Sequence, residues 1–136
     1  MRHFLSLILF SIIVSSCVGP PDPDHGLVEN LPVVINTPSA FSFSVRGDNY
    51  TRDDTIDLSF NLQEGKFVAS TLIITDFKSS DTTTVRLEDA NGVNIYEYVI
   101  MGNATHVDGV STLKPKKAII QGTMFNGILE WIVTAK

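Results

Sequence analysis

The sequence predicts an all-β domain: an antiparallel β-sandwich of seven or eight strands with immunoglobulin-like or jelly-roll topology. Three observations predict it. From Ala40 onward apolar and polar residues alternate with period two, the signature of half-buried strands. The alternating runs are separated by turn formers such as Glu64-Gly65, Asn91-Gly92 and Asn126-Gly127. No window beyond Pro38 repeats its apolar residues at the i, i+3, i+4 spacing of a helix face.

The chain opens MRHFLSLILFSIIVSSC. Arg2 gives a positive start, and Phe4 to Val14 is apolar except for Ser6 and Ser11. That length suits a secretory signal peptide, whose apolar region runs about 7–15 residues. It falls short of the roughly 20 apolar residues that cross a bilayer. The four residues Val14-Ser15-Ser16-Cys17 then resemble the lipobox of bacterial lipoproteins, with valine where that family most often has leucine. The resemblance implies cleavage before Cys17, a lipid on the Cys17 sulfur and a palmitate-type acyl chain on the new amine. Two or more acyl chains anchor a protein stably where one holds it only marginally. Val18 is not the aspartate that, in the enteric members, favours inner-membrane retention. By resemblance, the chain belongs to the cell envelope at the outer membrane, on its periplasmic or surface face.

Residues 17–38 read as the lipidated cysteine and a proline-rich tether. Pro20, Pro21, Pro23, Pro32 and Pro38 are five of the six prolines. Such segments run extended at about 3.1 Å per residue and act as spacers. Within it, Leu31 to Ile35 is apolar and reads as an edge strand or a segment lying on the domain, with Pro32 at its border.

Residues 39–136 form the predicted sandwich. Phe41, Phe43 and Val45 alternate with serines. A loop is expected at 47–54, and Ile56, Leu58, Phe60 and Leu62 make a second alternating run. Residues 67–77 are rich in β-branched side chains and read as a longer strand. Residues 82–87 and 93–101 follow, joined by Asp89-Ala-Asn-Gly92. A weak strand is placed at 109–113. Residues 118–125 and 128–135 close the chain, and Asn126-Gly127 between them is a strong hairpin signal. Leu129, Trp131 and Val133 share one face and are expected to cap the core.

The chain has 136 residues and a formal net charge of −5, one unit more negative once Arg2 is removed. An acidic chain without a basic stripe excludes the nucleic-acid-binding class as a first reading. Cys17 is the only cysteine, so an acylated Cys17 leaves no disulfide and stability rests on packing.

Few residues suggest chemistry. The sequence carries no G-x-S-x-G, no H-E-x-x-H and no glycine-rich phosphate loop. His106 and Asp108 read as a solvated loop pair. Arg46-Gly47-Asp48 spells an integrin-binding tripeptide, but reads as a turn. Asp48, Asp53 and Asp54 gather in the expected 47–54 loop and are the weak calcium candidates, since calcium needs six to eight oxygen ligands. Tyr96 and Tyr98 share a strand face with Asn94, opposite Val93, Ile95, Val99 and Met101. If the aliphatic face is buried, the tyrosines form an exposed platform for a sugar or a partner protein. Packing of both rings inside is the plainer reading. Lys114-Pro-Lys-Lys117 reads as a solvated basic loop.

These readings converge on a lipid-anchored envelope lipoprotein, not an enzyme, whose β domain acts as a binding or structural module. It would serve an envelope assembly as an accessory subunit. The alternative is a carbohydrate-binding module using Tyr96 and Tyr98 or the 48–54 loop. No cofactor is expected beyond the calcium candidate. The expected partners are the membrane, through the lipid, and another envelope protein or a glycan.

Overall fold

The computed structural model describes residues 26–136. The expected signal peptide, Cys17 and the first part of the expected tether lie outside the described residues. Seven strands follow one another: β1 (Val33–Asn36), β2 (Ala40–Asp57), β3 (Val68–Thr75), β4 (Thr83–Glu88), β5 (Asn94–Ile100), β6 (Ala104–Ser111) and β7 (Lys117–Ala135). Every ladder between them is antiparallel, as expected of a sandwich.

Two strands are far longer than the rest and organise the fold. β2 has 18 residues and β7 has 19, and they pair along most of their length. The first half of β2 and the second half of β7 lie in one layer, ordered β1-β2-β7-β3-β6. Their other halves continue into a second layer, where β4 pairs with β7 and β5 pairs with β4. The β2–β7 ribbon is thus the hinge on which one sheet folds over itself.

Alternation decides what fills the space between the layers. Phe41, Phe43 and Val45 on β2 face inward with Leu129, Trp131 and Val133 on β7 and Leu72 and Ile74 on β3. Val85 and Leu87 on β4, Tyr98 and Ile100 on β5, and Ala118 and Ile120 on β7 close over them. Trp131 is fully buried, meets Phe41 edge-on at 5.5 Å between ring centres, and donates its indole N–H to Ser70 Oγ at 2.9 Å. The expectation that Leu129, Trp131 and Val133 cap the core is met.

Three expectations need correction. The 47–54 segment is not a loop but the middle of β2, and Asn126-Gly127 is not a hairpin but the middle of β7. The two sites lie opposite each other, Gly47 against Gly127, where the register slips between Gly47 and Tyr50 and again between Tyr50 and Arg52. These are bulges, and a bulge bends a strand and sharpens its twist. Bulges and tight turns both need left-handed backbone, so Asn-Gly marks either one. Asn49 and Met124 adopt positive φ here, at 52° and 44°, and Gly127 lies at 144°.

The second correction concerns residues 58–62. Leu58 and Leu62 are buried and Phe60 packs on the core, as alternation implies, but the segment joins no ladder. Instead Leu58 N–H donates to Lys116 O and Asn61 N–H to Pro38 O. The third concerns the tether. The folded unit begins before residue 39: β1 pairs with β2, and Asn30 N–H donates to Arg46 O at 2.8 Å. Of the expected edge segment Leu31–Ile35, Val33 to Ile35 lie in β1, which runs to Asn36.

Candidate functional site

The bend of the β2–β7 ribbon leaves backbone groups without ladder partners, and side-chain amides take them up. Asn30 Oδ1 accepts from Asp48 N–H at 2.9 Å while Asn30 Nδ2 donates to Asp48 O at 2.8 Å, replacing a strand partner on both sides. Asn126 Oδ1 accepts from Asn49 N–H at 2.9 Å, and Asn126 Nδ2 donates to Met124 O at 3.0 Å. Thr51 Oγ1 accepts from Met124 N–H at 2.9 Å. These bonds lie at the exposed surface, where they hold the bent backbone in one conformation in place of water.

Glycine is required where the strands close on each other. A Cβ on Gly47 would stand 2.6 Å from both the Phe125 ring and the Phe125 carbonyl oxygen. One on Gly122 would stand 2.9 Å from the Tyr50 ring. Tyr50 itself donates to Asp54 Oδ2 at 2.6 Å, and Arg52 Nε lies 3.1 Å from Asp54 Oδ1. Burial, with the Asp54 carboxylate beside it, pushes the Tyr50 hydroxyl well above the usual phenol range.

On the outer side of this bend lies a cleft of about 570 Å³. Arg46, Asp48, Asp76, Lys78, Asn126 and Glu29 line it, with Thr75 and Ile128 at its wall. Arg46 reaches Glu29 at 3.5 Å, with both side chains substantially exposed. Of the four non-glycine residues with positive φ among the described residues, Asp76 lines the cleft, while Asn30, Asn49 and Met124 hydrogen-bond its lining residues Asp48 and Asn126. Lys78 N–H donates to Asn126 O, and Ser79 Oγ donates to Met124 O at 2.9 Å, tying the segment after β3 to the bend. The result is a collar of carboxylates, one guanidinium, one ammonium and an amide. Such a collar can hydrogen-bond a polar or zwitterionic ligand from several sides.

The residues singled out in the sequence fall differently. Asp48 is in this cleft, but Asp53 and Asp54 are not brought to it. Asp53 pairs with Gln121 and Asp54 with Ile120, so they occupy opposite faces of β2. Asp54 is already engaged by Tyr50 and Arg52. The expected gathering of three carboxylates is therefore not formed, and no group of three or more His, Cys, Asp or Glu able to hold a metal occurs among the described residues.

Nor do Tyr96 and Tyr98 make an exposed platform. Tyr98 pairs with Val85 and Tyr96 with Leu87, both core residues, so the tyrosine face is the inner one. Tyr98 is buried and donates to Asp108 Oδ2 at 2.8 Å; Tyr96 donates to Val68 O at 2.9 Å. Burial raises the Tyr98 hydroxyl well above its ordinary range, with Ser70 acting against that rise and Asp108 adding to it. The rings stack at 6.5 Å, and His106 lies 5.2 Å from Tyr98. At the open flank of a sandwich a long side chain with a polar tip fills the core and bonds across the gap, which aliphatic residues cannot do. Val93, Val99 and Met101 are left exposed in consequence. Asn94 is exposed and donates to Glu97 at 3.0 Å. His106 and Asp108 lie on β6, not in a loop. Of the basic loop, Pro115 is buried and Lys117 begins β7.

Sequence reasoning missed Glu29, Asp76, Lys78 and Asn126 as cleft residues. They come from three separate segments, and only Asn126-Gly127 carried a local signal. No protein-family model matches the chain, and no curated protein matches it. Among the solved structures similar to it in β architecture are two of different kinds. One belongs to Bacillus endospore appendages, described as disulfide-linked pili, at 11% identity over 77% of this chain and 88% of that one, with a TM-score of 0.48. The other is the capsular polysaccharide assembling protein CapF from Staphylococcus aureus, at 10% identity over 77% of this chain and 28% of that one, with a TM-score of 0.34.

Proposed function

We propose that this chain is a lipid-anchored envelope lipoprotein held at the outer membrane through Cys17, whose β domain is a non-catalytic binding or structural module. The cleft at the β2–β7 bend is its contact site, and its role is that of an accessory subunit in an envelope assembly. The observation that carries the reading is the cleft's construction. Left-handed backbone at non-glycine residues costs about 1–3 kcal/mol each and persists where the surroundings hold it in place. Here one such residue, Asp76, lines the polar hollow, and two more, Asn30 and Asn49, hydrogen-bond Asp48 and Asn126 at its wall. The anchor reading rests on the lipobox-like Val14-Ser15-Ser16-Cys17.

Mass spectrometry of the mature N-terminus tests the anchor: a chain beginning at Cys17 with added acyl mass is expected. An unmodified thiol, or retention of Met1, removes it. Crosslinking in the native envelope tests the contact site. Capture of a discrete partner should fall in an Asp48→Lys, Lys78→Glu variant that still folds.

The second reading, a carbohydrate-binding module, keeps Asp48 and exchanges the tyrosine face for the cleft. Arg46, Asp48, Asp76 and Asn126 supply the donors and acceptors that sugar hydroxyls need. Calorimetric titration across a glycan series, with and without calcium, decides it; a uniformly flat response removes it.

A further inference from the structure

Among the described residues the sheet has four open edges, and they are not alike. The second half of β2, paired only with β7, carries Arg52, Asp53, Asp54 and Asp57. β5 carries Glu97 on its exposed side, and β6 carries Asp108 and a bulge opposite Val68 and Ala69. Charges and bulges are the devices by which natural sheets prevent edge-to-edge pairing. β1 has neither. No charged residue occurs between Leu31 and Val45. Val33, Val34 and Ile35 are each roughly half exposed, at 48%, 43% and 54%, and among the described residues β1 has β2 as its ladder partner on one side only.

The hydrogen-bond phase of that free side can be read. Thr37 N–H donates to Ala40 O, which sets the bonded pairs of the β1–β2 ladder at Thr37/Ala40, Ile35/Ser42 and Val33/Ser44. Bonded and non-bonded pairs alternate in an antiparallel ladder. The backbone groups of Val34 and Asn36 therefore point away from β2. Pro32 and Pro38 bracket the strand and lack N–H groups, so an added strand has only this short stretch to pair with.

We infer that β1 is the interface for a second copy of this chain, pairing antiparallel with its counterpart about a two-fold axis at Ile35. In that register Val34 of each copy exchanges hydrogen bonds with Asn36 of the other, and both open pairs on each strand are used. Ile35 faces its own counterpart as a non-bonded pair, the type in which side chains approach most closely. A strand without charges meets itself without like-charge repulsion. The outward row through Ile35 continues across the layer as Ser42, Ile132, Thr71 and Val107, of which Ile132 and Val107 are exposed. Pairing joins two such rows into one apolar band.

A second copy suits this edge better than a free peptide. A flexible peptide held by four backbone hydrogen bonds loses much of their gain to its own ordering. A partner strand already held in a folded sheet, with its own apolar row beside it, loses far less freedom.

The test is disulfide trapping in the full-length chain, in its own membrane, with a mild oxidant. Ile35→Cys is expected to give a covalent dimer of twice the chain mass, several-fold more than Val33→Cys. In this register Val33 faces Thr37 rather than itself. Adding Val34→Lys, at an exposed edge position, should abolish the dimer while circular dichroism stays unchanged. The wild-type chain is the control for Cys17, because a dimer there reports an unlipidated thiol. In that case Cys17→Ser with Ile35→Cys must still dimerise, so failure of the anchor reading and failure of this one remain distinct. Equal trapping at Ile35 and Val33, monomer alone, or an adduct of another mass overturns the inference.

Discussion

Replacing Gly47 by alanine tests the claim that the fold depends on two strands closing at their bends. The added methyl would lie 2.6 Å from Phe125 Cδ1, 2.6 Å from the Phe125 carbonyl oxygen and 3.1 Å from Tyr50 Cβ. Carbon atoms rest at about 3.5–4.0 Å, so a relief of roughly 1 Å is needed on two sides at once. The Phe125 ring is fully buried and tilted against Phe77 at 6.1 Å, which leaves it little room to turn. The carbonyl belongs to β7 and cannot rotate away without breaking the ladder. Overpacking costs about 1–3 kcal/mol and occasionally more, and a clash with backbone belongs at the upper end. We expect a loss of about 3 kcal/mol, equivalent to roughly 10–15 °C in Tm for a domain of this size. Urea unfolding followed by the fluorescence of Trp131, the single tryptophan, reads it directly. Phe125→Leu should not rescue the variant, because it removes the ring clash and leaves the carbonyl. Gly102→Ala is the control: nothing lies within 4 Å of its added Cβ, and a change within about 0.5 kcal/mol is expected. A Gly47→Ala loss below about 1 kcal/mol with an unchanged m-value would refute the reasoning.

Four further outcomes follow from the same structure. Ser70→Ala leaves the buried Trp131 indole N–H without its acceptor and should cost about 1–3 kcal/mol; a double-mutant cycle with Trp131→Phe should show coupling between the two. Thr83 is buried and its hydroxyl has no partner among the described residues, so Thr83→Val should match or exceed wild type by about 1 kcal/mol in the same unfolding assay, and a clear loss would mean the hydroxyl is satisfied. Asp89 Oδ1 accepts from Val93 and Asn91 N–H, and these bonds, Val93 first, hold its carboxyl below the usual range. Its folded form therefore favours the ionised state: the stability difference between wild type and Asp89→Ala should be full near neutral pH and vanish as pH falls below the ordinary aspartate range. Tyr50 and Tyr98 have raised hydroxyls, so their contribution is full below the ordinary phenol pKa of about 10 and is lost as pH rises beyond it. Alkaline unfolding should accordingly begin later in Tyr50→Phe, Tyr98→Phe than in wild type, once the neutral-pH cost of the substitutions is subtracted.

The sequence alone determined the class of the fold and most of its inward-facing residues. Period-two alternation is a local property of one strand, so Phe41, Phe43, Val45, Leu129, Trp131 and Val133 were legible without any partner. So was the Asp89–Gly92 turn, which Asp89 closes through its own neighbours. The tertiary structure decided where alternation stops being a strand, as at Leu58–Leu62, because a ladder needs a second chain segment that the first does not encode. It also decided that Gly47 and Asn126-Gly127 bend two long strands instead of ending four short ones. Positive φ is visible in the residue types, but whether the chain reverses or bends there depends on what lies opposite. The tyrosine face of β5 turned inward for a related reason. Both of its faces are partly apolar, and only the neighbouring Val85 and Leu87 say which one the core claims. The cleft was the least legible feature, since Glu29, Arg46, Asp76, Lys78 and Asn126 are distant along the chain and meet only when both long strands have bent.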